Sequence, residues 1–399
     1  MRAKRSKGRE RLNKRMTMLA GLLSTALLLG GCTTAGTQDN TGSAAQTKPT
    51  TTEEVQNIVD SMSLEEKVAQ LFLVQPEAIV DIGTATAAGD ATKQAINKTP
   101  VGGFVYFSDN LQSEQQVQDM LRNVQKYSED RIGLPAFLSV DEEGGTVARV
   151  ASTGRFDVTD VGDMAKIGAS GDVQQAKQAG ETIGSYLSEL GFNLDFAPDA
   201  DVLTNPDNTV VKKRSFGSDP RVVSDMSLAV AQGLAQHQVY SVYKHFPGHG
   251  ATAGDTHQGY AYTDKTLDEL KQSELIPFEN AIQNNAEFIM AAHISAPRVT
   301  GDDTPASLSK TMITDILRGQ MGYDGIVVTD AMNMGAVTEQ YTSAQAAVKA
   351  LQAGADVVLM PEDFQEAYQG VLDAVKDGTL TEQRINESVT RIVTVKVHM

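Results

Sequence analysis

The stretch Val239-Tyr240-Ser241-Val242-Tyr243-Lys244-His245-Phe246-Pro247-Gly248-His249-Gly250 joins an apolar run to a loop of titratable side chains. Val239, Tyr240, Val242 and Tyr243 are β-formers set almost without a polar break, the pattern of a strand buried on both faces. Pro247, Gly248 and Gly250 then keep the chain out of helix and strand. The same kind of run recurs at 71–74, 103–107, 136–140, 192–196, 287–292, 325–329 and 355–360. Helix-like segments separate the runs, at 113–127, 173–190, 224–238, 267–284, 310–320, 343–351 and 363–376, with a last one from Thr381 onward. Apolar strands alternating with helices predict a parallel sheet covered on both faces. Eight such units predict closure into an α/β (β/α)8 TIM barrel, one catalytic domain over residues 53–399. An open doubly wound sheet is the alternative. No Gly-x-Gly-x-x-Gly follows a run, so a dinucleotide site is not expected.

In a barrel of this kind the C-terminal ends of all strands share one face, and that face carries the site. Asp141 and Glu142 follow the third run, Asp199 and Asp201 the fourth, Lys244 and His245 the fifth, His293 the sixth and Asp330 the seventh. One aspartate after a strand is as readily a helix N-cap as a catalytic group. Titratable residues at five consecutive strand ends point to a site. Beyond the fifth run lie His249 and then Asp255-Thr256-His257. Three readings of this loop are open: a solvated His-rich loop, a metal site of His and Asp ligands, and an acid/base pair. His245 and His249 are separated by Pro-Gly, so no helix aligns them as in a His-x-x-x-His zinc motif, and no Cys is near. An Asp and a His two residues apart on extended chain point the same way, and His titrates near neutrality. The acid/base reading is therefore the expectation, with no metal and no cofactor.

Further motifs accompany this loop: Asp141-Glu142-Glu143-Gly144-Gly145, Phe196-Ala197-Pro198, Arg214-Ser215-Phe216-Gly217 and Val328-Thr329-Asp330-Ala331-Met332. Together, from about Leu64 to Met360, the chain resembles the β-N-acetylglucosaminidase branch of glycoside hydrolase family three. The resemblance implies retaining hydrolysis, with Asp330 as nucleophile and His257, oriented by Asp255, as acid/base in place of a second carboxylate. It implies that Asp141 accepts hydrogen bonds from sugar hydroxyls and that Arg214, Lys244 and His245 donate to the sugar and its neighbours. Arg149 fits the family pattern, whereas Thr146 stands where the family often has Arg and Thr256 where it usually has Ser. His249 either meets the ligand or stabilises its loop. His293 is either a wall of the site or a satisfied core histidine. Glu142 and Glu143 have no clear role, but Gly144-Gly145 after them predicts a tight turn with positive φ. The family's second α/β domain has no room after Met360, so barrel loops alone would complete the site.

Residues 1–31 read as a lipoprotein signal peptide. Eight Lys/Arg precede an apolar stretch from Met16 to Gly31, which ends at Cys32, the only cysteine. Cys32 is the expected lipidation site, with an ordinary cleaved signal or a short anchor as alternatives. Residues 32–52 are small and polar, the composition of a flexible tether. The formal net charge is −17; without residues 1–31, which carry eight basic residues and one acidic, it becomes −24. That excludes a nucleic-acid partner and electrostatic docking to anionic lipid, leaving the lipid anchor as the membrane contact. The expectation is an exported, lipid-anchored, monomeric exo-β-N-acetylglucosaminidase acting on an oligosaccharide: cell-wall fragments or chito-oligosaccharides. The alternatives are a phosphorylase of the same branch, a β-glucosidase and a non-catalytic sugar-binding lipoprotein.

Overall fold

The computed structural model describes residues 51–80, 82–252 and 261–399. The signal, Cys32 and nearly all of the expected tether lie outside the described residues. The first described helix, Thr51–Ser61, begins just inside the stretch expected to be tether.

Eight strands form one parallel sheet: β1 Phe72–Val74, β2 Gly103–Val105, β3 Phe137–Val140, β4 Leu194–Asp195, β5 Tyr240–Phe246, β6 Phe288–Ala291, β7 Ile326–Thr329 and β8 Val358–Leu359. The order is β7-β6-β5-β4-β3-β2-β1-β8. A parallel bridge between Val328 and Val357 joins the two ends and closes the barrel. Each strand falls within its apolar run except β5, which continues through Lys244 and His245 to Phe246. Polar side chains persist in this strand because its backbone stays paired. Lys244 N donates to Pro198 O, Lys244 O accepts from Ala200 N, and Phe246 O accepts from Ala292 N.

The helices cover the outside. Val173–Leu190 lies where the sequence places it, capped by Asp172 and ended by Gly191 at φ 99°. The segment expected as one helix over 267–284 is two, Leu267–Lys271 and Ile276–Gln283, with Pro277 in the first turn of the second, where a missing N–H costs no helical bond. Phe137 on β3 meets Phe288 on β6 edge-on, with centroids 5.3 Å apart. These strands are not sheet neighbours, so the contact crosses the barrel interior and shows it to be packed. At the other end, Glu142–Gly144 and Val147–Ala148 pair as a short antiparallel ribbon above β3. Gly144 and Gly145 turn it with φ of 95° and 57°, the tight turn expected.

Candidate active site

The ends of the strands surround a cavity of about 680 Å³, lined by Asp141, Arg149, Arg214, Lys244, His245 and Asp330 among others. Asp141, Arg149, Arg214 and Asp330 are partly exposed to it. Beneath them lies a buried layer: Glu143, Asp199, Asp201, Lys244, His245 and His249. The ends of β3, β4, β5 and β7 therefore converge on one space.

Glu143 is the centre of the buried layer. Its two oxygens take Arg214 Nε and Nη2, each at 2.7 Å, in a bidentate pair. Lys244 Nζ lies 2.7 Å from Glu143 Oε1 and 2.7 Å from Asp141 Oδ1. Burial would raise the Glu143 carboxyl, but Arg214 and Lys244 outweigh it and hold the carboxyl well below its ordinary range. Burial would likewise lower Lys244, but Asp141 and Glu143 keep it charged. An ammonium has three donors; among the described residues two are committed, leaving one for a ligand.

His245 is placed differently from the expected donor to sugar. Arg214 Nη2 lies 3.1 Å from its Nε2, and a guanidinium only donates, so Nε2 accepts. The proton is then on Nδ1, which donates to Asp201 Oδ2 at 2.7 Å. Both ring nitrogens are occupied, and His245 serves to orient Arg214. Asp201 Oδ1 also accepts from His249 N. Burial pushes Asp201 up, but His245 and His249 outweigh it and hold the carboxyl below its ordinary value. Burial and the neighbouring Asp201 push Asp199 well up. Two adjacent carboxyls are thereby driven apart, Asp201 downward and Asp199 upward. Ligand-type atoms of Asp199, Asp201 and His245 lie within 4.8 Å of one another. Arg214 Nε approaches Asp199 Oδ2 to 3.5 Å, so a guanidinium supplies positive charge to this cluster.

Asp330 follows β7 directly, and its Oδ1 accepts from Ala331 N at 2.8 Å. Burial would raise its carboxyl; His293, His245, the Ala331 N–H and Lys244 together bring it below its ordinary value, so it is anionic at neutral pH. His293 is buried beside it, with Nε2 2.9 Å from Ala331 O and Nδ1 2.7 Å from Ser307 Oγ. It braces the turn that carries Asp330. His249 lies at the cavity edge with Nδ1 2.9 Å from Thr252 Oγ1, and Asn208 Nδ2 donates to its carbonyl. It ties the start of its loop to the barrel. Asp255 and His257 lie outside the described residues.

Glu143, Asp201 and Glu142 stand at or just beyond strand ends in the sequence, but their roles are not legible there. A signal was present: Lys244 at the end of the fifth run and Arg214 on the loop after the fourth need buried counter-charges, and two glutamates stand at the end of the third.

Residues 63–395 match the glycosyl hydrolase family 3 N terminal domain. Beta-hexosaminidase A of Pseudoalteromonas piscicida is 32% identical over 77% of this chain and 55% of that protein. Beta-hexosaminidase LpqI of Mycobacterium tuberculosis is 32% identical over 95% of this chain and 96% of its own length. The solved glycoside hydrolase family 3 beta-N-acetylglucosaminidase from Paenibacillus sp. str. FPU-7 superposes with a TM-score of 0.79 at 35% identity, covering 84% of this chain and 62% of that one. The chain thus spans little more than half of the first of these relatives and nearly the whole of the second. With residues 63–395 inside that domain, the chain belongs to glycosyl hydrolase family 3.

Proposed function

We propose that the protein is a retaining exo-β-N-acetylglucosaminidase, which removes terminal non-reducing N-acetylglucosamine from cell-wall fragments or chito-oligosaccharides. The observation that carries this reading is Asp330, an ionised carboxylate on a rigid strand end that borders the cavity. It attacks the anomeric carbon to give a glycosyl-enzyme ester. His257, held by Asp255, protonates the leaving oxygen and then draws a proton from water. A neutral imidazole base adds no negative charge to a site already holding Asp141, Glu143 and Asp330. Asp141 accepts from sugar hydroxyls, while Lys244, Arg149 and Arg214 donate to them. No metal or cofactor takes part. The relatives named beta-hexosaminidase support the choice of sugar.

The same proposal makes the protein a monomer outside the cytoplasm, held to the membrane by lipid on Cys32, with residues 1–31 removed and the following residues to about 52 as tether. The sequence of that segment supports this. Among the described residues no helix is long and apolar enough to cross a membrane.

The test is release of p-nitrophenol from p-nitrophenyl N-acetyl-β-glucosaminide by the chain from residue 33 onward, beside Asp330→Asn and His257→Ala, with and without phosphate. Turnover that needs no phosphate and that both substitutions abolish is the expected result. Sugar 1-phosphate as product would make it a phosphorylase. Turnover of the glucoside alone would make it a β-glucosidase, and binding without turnover would leave a sugar-binding lipoprotein.

A further inference from the structure

Glu142 takes no part in the chemistry above, yet it is fully buried at the edge of the site. Its N–H donates to Asp195 Oδ1 at 2.9 Å, which fixes its backbone to β4. Three donors converge on its carboxylate: Val150 N at 2.7 Å, Ala151 N at 2.9 Å and Tyr186 Oη at 2.8 Å. Tyr186 belongs to the helix Val173–Leu190. Arg149, just before these two N–H groups, donates its own N–H to Asp141 O at 3.2 Å and accepts at its carbonyl from Ser108 Oγ at 3.0 Å. Four hydrogen bonds therefore hold the backbone from Arg149 to Ala151. The Arg149 side chain is held far less. Its guanidinium lies 5.4 Å from the Phe107 ring centroid and lines the cavity with Asp330, and its Nε is buried without a hydrogen-bond partner among the described residues. A backbone fixed on all sides that carries an open guanidinium is the arrangement of a preorganised ligand contact.

We infer that Glu142, braced by Tyr186, is a positioning residue that presents Arg149 to the substrate sugar. This rests on the reading of the cavity as the sugar site. Glutamate is needed because three donors meet it: a carboxylate has two acceptor oxygens, whereas an amide offers one and would set its NH2 against a backbone N–H.

Glu142→Gln should lower kcat/KM on p-nitrophenyl N-acetyl-β-glucosaminide about tenfold, mostly through KM, and Tyr186→Phe about threefold. In an Arg149→Ala background Glu142→Gln should add less than about twofold, because it acts through the missing side chain. A purely structural role would reduce both backgrounds alike. The Arg149 Nε–Hε resonance, assigned by its loss in Arg149→Ala, should move in both Glu142→Gln and Tyr186→Phe while the other arginine resonances stay. If Glu142→Gln does not fold, Tyr186→Phe carries the same comparisons. Unchanged KM, an equal loss in both backgrounds, or an unmoved Arg149 resonance would each overturn the inference. Wild-type protein that does not turn over the substrate would sink the proposed function, and the resonance would still decide the role of Glu142.

Discussion

At the start of β8, Asp356 sits among Arg318, Arg384 and Arg391; at the ends of β3 and β5, Glu143 sits between Arg214 and Lys244. Both carboxylates are buried, and both are surrounded by cations. They differ in what the cations have left to offer. Around Asp356, Arg318 also donates to the carbonyls of Tyr323, Gly325 and Gly354, and Arg384 to those of Leu351 and Ala355. Val327 N and Ser388 Oγ add further bonds to Asp356. This cluster stitches the last helix to the barrel. Around Glu143, Arg214 and Lys244 border an open cavity beside Arg149 and Asp330. Buried ion pairs alone thus do not mark a site; donors left over beside a space do.

The largest expected effect separates the two ends. Asp330→Asn should lower kcat by about 10⁴-fold or more while the thermal midpoint moves by only a few degrees, since one neutral polar group replaces one carboxylate at the cavity wall. Asp356→Asn should do the reverse. Removing one partner of a buried ion cluster costs about 3–5 kcal/mol, so denaturant unfolding should shift strongly while kcat per folded molecule stays within about twofold. A catalytic defect in folded Asp356→Asn would break the division between the ends.

Glu143→Gln tests the residue that belongs to both categories. It leaves Arg214 and Lys244 short of a counter-charge, and should cost about ten- to a hundredfold in kcat/KM together with some stability. It should also alter the response to acid. Because Arg214 and Lys244 outweigh burial and depress the Glu143 carboxyl, its stabilising contribution is fully present above the ordinary glutamate range and is lost as the pH falls below it. Below about pH 5 the wild type should therefore lose stability more steeply than Glu143→Gln in urea unfolding. Parallel curves would mean that Glu143 is not held in its ionised form.

The eight strands were legible because parallel strands buried on both faces leave short apolar runs that period and length separate from helices. The end of β5 was misplaced for the same reason. Lys244 and His245 interrupt the apolar run, and nothing in the sequence shows that the backbone there stays paired to the strands on either side. The strand-end residues Asp141, Lys244 and Asp330 could be collected from topology alone, since a closed barrel brings all strand ends together; Arg214, on the loop after β4, came only with the family resemblance. Their wiring could not be read from topology. Glu143 and Arg214 are 71 positions apart, and their bidentate pairing depends on the register of β3 against β4 and on the course of the loop after β4. The tautomer of His245 likewise follows from which of its neighbours can only donate. At the other end, Arg384 and Arg391 lie one heptad apart on the last helix, and nothing in the sequence shows that both turn inward to Asp356.

Two buried lysines sharpen the comparison through pH. Lys244, at the upper end, has Asp141 and Glu143 within 2.7 Å, and these raise it despite burial. Lys396, at the lower end, donates to Gln70 Oε1 and to Gly102 O, each at 2.8 Å, and lies 4.9 Å from the Phe137 ring centroid. It has no carboxylate partner among these contacts, and burial brings it down to about 7. An unfolded lysine keeps its proton to about pH 10.4. Between pH 7 and 10 the unfolded chain therefore binds the proton that folded Lys396 has released, and the contribution of this group to stability rises with pH. Lys396→Met removes that slope, so its stability relative to wild type should fall by about 1 kcal/mol for each pH unit over this range, with kcat unchanged. Lys244 is charged in both folded and unfolded protein over most of the same range, and its stabilising contribution is lost only as the pH rises beyond the unfolded value. The stability difference between Lys244→Met and wild type should consequently be flat from pH 7 to about 9. Equal slopes for the two substitutions would show that the carboxylates beside Lys244, and not burial alone, had been misjudged as the feature that separates the two ends of the barrel.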